Sequence, residues 1–240
     1  MQQALVMGVV FLAVFTQSVA GFGSALVAMA FLPAMLGIQV ATPLVALLAI
    51  SLETVLLVRY HRAMKVRAIL PMVVASIAGI PLGIMFLRRI DETVVLGGLG
   101  VVIAGYATYA LLKIGLPRVE HIGWSLLAGG LAGMLGSAYN TSGPPVIIYG
   151  DSQGWKPDVF KANLQGFFII NSILVVLAHL FGGNITGEVW QLYLIGIPGL
   201  AAGILVGTSL DRWINPEVFR KIALWILLVM GVRMIVVNLF

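Results

Sequence analysis

A chain of 240 residues with 60% hydrophobic and only 10% charged side chains cannot cover itself against water, because a soluble domain carries roughly 25% charged residues. The chain has no cysteine, and its three histidines (His61, His121, His179) show no metal-binding spacing. Disulfides and thiolate sites are thereby excluded, and no metal or other cofactor is expected. The net charge of +5 comes from basic residues in short interhelical loops, a topology signal rather than a nucleic-acid surface. The composition defines a polytopic membrane protein, expected to be all-α and to lie in the inner (cytoplasmic) membrane. Its expected partners are lipid and a small solute, with no nucleic acid; a homodimer is compatible with this reading.

In chain order, residues 1–20 imitate a signal peptide, but no Lys or Arg precedes Arg59, so the segment is expected to be structure. It belongs to an apolar stretch, 2–38, interrupted by "TQSVAGFGS" (16–24). Spanning helices are predicted near 41–59, 66–88 and 93–113. A second interrupted stretch follows at 121–150, broken by "GSAYNTSGPP" (136–145), and precedes spans near 158–181, 187–209 and 217–239. The order of elements thus occurs twice, predicting two repeats, 1–115 and 116–240. Gly23 aligns with Gly143, Ser51 with Asn171, Gly79 with Gly203, Gly83 with Gly207 and Ile90 with Ile214.

Loop 59–67 holds four basic residues and its counterpart 182–188 none. The bias changes sides between repeats, and basic loops stay cytoplasmic, so the repeats are expected to be inverted. If each interrupted segment is a re-entrant hairpin, loops 59–67, 113–121, 150–161 and 210–221 share one side with eleven Lys/Arg, against Arg88 and Arg89 on the other. If each crosses once, the bias vanishes. The expected fold is therefore two inverted-topology repeats, each a broken hairpin plus three transmembrane helices; eight plain helices in parallel repeats are the alternative.

Backbone that leaves the helix inside a bilayer must be buried in protein or line a wet cavity, and paired breaks point to a transporter's substrate site. After Gly21-Phe22-Gly23, Ser24 is expected to cap a new half-helix. After Asn140-Thr141-Ser142-Gly143, Pro144 suits a first helical turn. Each break would aim free N–H groups and a positive dipole end at an anion. Gly79, Gly83, Gly203 and Gly207 read instead as packing notches.

Gln17, Ser18, Ser51, Asn163, Gln165, Asn171 and Ser172 are candidate lining groups, although each could simply hydrogen-bond a neighbouring helix. Glu53 and His179 are candidates to carry a coupling proton; Glu53 could equally pair with Arg59, and His179 could anchor at the interface.

The stretches "AGFGSALVAMAFLPAMLG", "GMLGSAYNTSGPPVIIYG", "FKANLQGFFIINS" and "HLFGGNI" resemble the sulfite exporter TauE/SafE family over essentially the whole chain. The resemblance implies a non-enzymatic secondary transporter that exports sulfite or organosulfonates such as sulfoacetate, driven by an ion or proton gradient. The second motif departs from the family pattern: Asn140-Thr141-Ser142 stand where more glycines are usual, which bears on the anion accepted. Two rivals are an intramembrane serine hydrolase using Ser142 and His179, for which no G-x-S-G motif exists, and a receptor or scaffold without transport.

Overall fold

The computed structural model describes residues 2–210 and 213–240, without the side chains of Arg59, Tyr60, His61 and Pro216. Arg212, counted above among the basic loop residues, lies outside the described residues, as does the Arg59 side chain expected to meet Glu53. Every element described is helical. The first half contains α1 (Gln2–Ala20), α2 (Ser24–Phe31), the single turn α3 (Pro33–Leu36), α4 (Ile38–Tyr60), α5 (Val66–Arg89) and α6 (Glu92–Leu112). The second contains α7 (Ile122–Tyr139), α8 (Gly143–Ser152), α9 (Pro157–Phe181), α10 (Gly187–Leu210) and α11 (Pro216–Leu239).

Among the described residues, seven helices are long and apolar enough to cross a membrane: α1, α4, α5, α6, α9, α10 and α11. Six are the predicted spans, and the seventh, α1, is the first arm of the first interrupted segment. Their outer faces are apolar: Leu70, Val74 and Ile77 on α5 and Val229, Val236 and Val237 on α11 are all exposed, as a lipid-facing surface requires.

Both interrupted segments fold back on themselves. Gln2 Nε2 donates to the Met35 carbonyl at 3.3 Å, joining the two ends of the first hairpin, α1–α3. Gln153 Nε2 donates to the Val119 carbonyl, joining the ends of the second, α7–α8. The first hairpin opens on the side that holds the α5–α6 and α9–α10 turns. There the Ile38 N–H donates to Glu92 Oε1 at 3.0 Å and Arg88 Nη2 to Asn184 Oδ1 at 2.9 Å. The second hairpin opens at the other end of α6, on the side carrying most of the Lys and Arg. Its returning arm α8 has 10 residues and spans about 15 Å; the returning stretch Ser24–Leu36 spans about 20 Å. Together they match the 24-residue α5, so the two breaks meet at mid-depth.

Lipid tails are as apolar as leucine, so helices in a bilayer are held by close packing rather than by hydrophobic expulsion. The closest packing here is made by glycine. A Cβ at Gly79 would stand 2.0 Å from the Gly130 carbonyl oxygen, and one at Gly133 2.2 Å from that of Ser76, so α5 and α7 touch backbone to backbone. On the other half, a Cβ at Gly203 of α10 would stand 2.9 Å from the Phe11 carbonyl oxygen of α1, and one at Gly207 2.5 Å from the Ser18 Cβ. Gly79, Gly83, Gly203 and Gly207 are packing notches, as expected, where α7 packs on α5 and α1 on α10.

Candidate functional site

The chain leaves the helix at 21–23 and again at 140–142. At the first break Gly21 has φ 84° and Gly23 φ 104°, a left-handed backbone that strains any residue with a Cβ. At the second break Asn140 takes φ 50°, which asparagine tolerates best among the other residues. The Asn140 N–H closes α7 on the Gly136 carbonyl at 2.7 Å. Pro144 falls in the first turn of α8, where its missing N–H costs nothing.

One expectation is corrected at the first break. Gly23, not Ser24, is the N-cap of α2, and no side chain caps it in the usual sense. The Ser24 hydroxyl and N–H (3.1 Å) both donate to Gln17 Oε1. Gln17 reaches across the break from the last turn of α1, satisfying one orphan donor of α2. Among the described residues, the N–H groups of Ala25 and Leu26, and of Gly143 on α8, find no acceptor. The two helices therefore turn unsatisfied donors and positive dipole ends toward the same space.

That space is a polar cavity of about 30 Å³, measured as room for the centre of a water molecule. Gln17, Gly23, Ser24, Asn140, Thr141, Ser142 and Gly143 line it, with Glu53 from α4 and Ser172 from α9. Phe22, Ile147 and Phe168 supply apolar walls. Glu53 is 6% exposed. Ser172 is its hydrogen-bonding neighbour, while Oε2 has no partner among the described residues. Among the described residues, no second ionisable side chain lines the cavity. An unpartnered buried carboxyl oxygen is expensive unless it is protonated or serves a purpose.

Other candidate residues lie outside the cavity. Gln165 Nε2 donates to the Gly21 carbonyl at 3.0 Å, bracing the first break from behind, and the Lys161 stem covers Gly21. Asn163 Oδ1 accepts the Lys65 N–H at 2.8 Å, holding the start of α5 against α9. Ser51 turns to Tyr193 of α10 at 2.9 Å, and Asn171 packs on Gly136 behind the second break. His179 is buried beside the backbone of Ser137, with Nδ1 2.9 Å from Asn184 Nδ2; it does not line the cavity with Ser142. Ser172, Phe22 and Phe168 complete the site. Ser172 was among the expected lining groups; Phe22 and Phe168 carry no polar signal, and sequence reasoning missed them.

Two hairpins entering from opposite ends of a helical membrane bundle, with their breaks closing on one small polar chamber, form the architecture in which secondary transporters hold solutes. The chain belongs to the sulfite exporter TauE/SafE family, whose model matches residues 6–234; this is a family of membrane transporters, not of enzymes. It is similar to the probable sulfite/organosulfonate exporter TauE of Cupriavidus necator, with 22% identity over 223 residues covering 90% of this chain and 86% of that one. No solved structure matches the chain.

Proposed function

We propose that the protein is a secondary transporter of the inner membrane that exports small sulfur oxyanions, sulfite or organosulfonates, by alternating access between two inverted repeats. The observation that carries this reading is the convergence of both breaks on one cavity lined by donors and, among the described residues, by no Lys or Arg. Backbone donors and dipole ends bind an oxyanion without a fixed positive charge, which keeps the site loose enough to release its cargo. The relative's name supplies the substrate class. The tightness of the cavity favours the smallest member of that class in the state seen here, and a longer sulfonate requires the hairpins to part.

Glu53 is the group suited to coupling. A carboxylate in the same closed chamber as an anion repels it through a low dielectric, whereas a carboxylic acid adds a donor. Anion and proton are therefore expected to occupy the site together, and anion affinity to weaken as rising pH ionises the carboxyl. Glu53→Gln keeps the neutral shape. In proteoliposomes the wild type is expected to move methanesulfonate, which stays a monoanion throughout, with a rate that depends on pH, and the variant to bind it equally at acid and alkaline pH while losing proton movement. An unchanged pH dependence in Glu53→Gln removes this residue from coupling, and a wild type that moves no sulfonate or sulfite contradicts the transport reading itself.

A further inference from the structure

A second, larger cavity lies on the basic side of the bundle, where α6 ends and α11 begins. It measures about 830 Å³ in the same terms as the central chamber, and its charged and polar lining comprises Tyr109, Lys113, Asp151, Glu217, Arg220 and Lys221. Its innermost cation is Arg220, on the second turn of α11. The guanidinium carbon of Arg220 stands 4.9 Å from the centre of the Phe22 ring, and Phe22 is itself a wall of the central cavity. Phe22 also meets Tyr106 edge to face, with ring centres 6.3 Å apart. A single aromatic layer thus separates the two spaces, with a guanidinium on its outer surface. Among the described residues, Asp151 and the hydroxyls of Tyr106 and Tyr109 interact electrostatically with Arg220.

We propose that this cavity is an outer anion-binding site in which Arg220 holds the sulfur oxyanion before it passes Phe22 into the central chamber. The inference rests on the anion-transport reading and adds a second site to it. Arginine presents planar paired donors that match an SO₃ face, and the stacked ring keeps the guanidinium oriented when the site is empty. Phe22 is placed to yield. It sits between two glycines of positive φ, where the backbone is free to turn without a Cβ to obstruct it. The basic side concentrates anions ahead of the site, and the larger volume accepts sulfonates that the central chamber admits only on opening.

The test is calorimetric titration of the purified full chain with methanesulfonate. The wild type is expected to bind two equivalents. Arg220→Gln is expected to bind one, the outer affinity falling at least tenfold, and Arg220→Lys to keep a weakened second equivalent because the charge remains. Ser142→Leu is expected to lose the other, central equivalent. Two equivalents of undiminished affinity in Arg220→Gln overturn the outer site and leave the transport reading standing. Loss of both equivalents in Arg220→Gln also overturns it, since the residue would then support the whole bundle. Two equivalents in Ser142→Leu count instead against the central chamber.

Discussion

Ser142→Leu is expected to abolish anion flux, by a hundredfold or more, while the protein still folds and inserts. Ser142 stands at the junction of the second break with α8, at φ −66° and ψ −14°, a backbone any residue adopts. Ser142 lines the central cavity, so leucine there is expected to fill the chamber and place methyl groups where an oxyanion needs donors. The cost falls on binding rather than folding, because the surrounding backbone is not displaced. Gly23→Leu fills the same chamber but also forces a Cβ onto φ 104°, so its loss of flux would mix strain with blockage. The measurement is sulfite efflux from proteoliposomes alongside thermal unfolding. Normal flux in Ser142→Leu would remove the second break from the site.

Gly133→Val is expected to have the largest effect on stability. Its Cβ would lie 2.2 Å from the Ser76 carbonyl oxygen, with the Ser76 Cα at 2.7 Å. Overpacking of side chains typically costs about 1–3 kcal/mol, and here the obstructing atoms are backbone, which cannot rotate away. Helices α5 and α7 would have to separate along the seam that joins the two halves. The variant is expected to fail to accumulate, or to unfold at a much lower temperature. Gly105→Ala is the matched control, because nothing lies within 4 Å of a Cβ there; it is expected to hold or slightly raise stability, as alanine generally does in place of helical glycine. Equal unfolding temperatures for Gly133→Val and the wild type would show that the two helices do not meet so closely.

Much of this was legible in the residues. Long apolar runs gave the spans, and the polar clusters at 16–24 and 136–145 gave the breaks. The glycines at 79, 83, 203 and 207 gave the seams, since a notch recurring every fourth residue serves one helix face. The lining of the cavity was legible only in part, for a geometric reason. Successive residues on a helix diverge by about 100°, so neighbours in sequence face different partners. Ser172 faces the chamber with Phe168 while Asn171, one step earlier, faces α7. Glu53 faces it while Ser51, two steps earlier, faces α10. Composition marks a polar residue in a span as costly, but only packing decides whether it meets a solute or another helix. Gln17, singled out as a ligand, lines the chamber with its oxygen held by Ser24 and its Nε2 without a partner among the described residues. The Arg220–Phe22 contact lay beyond sequence reasoning altogether, because it joins residues from opposite halves of the chain.

The central claim is that both breaks face one chamber, reached in turn from each side of the membrane and occupied by an anion. The absence of cysteine makes a single introduced thiol a clean reporter. Ala25 lines the chamber at the start of α2, so Ala25→Cys in sealed vesicles of known orientation tests the claim directly. The thiol is expected to react with a membrane-impermeant reagent applied from either side, and methanesulfonate is expected to slow both reactions. Reaction from one side only, or reaction that the anion leaves unchanged, would contradict a shared, alternately opened anion site.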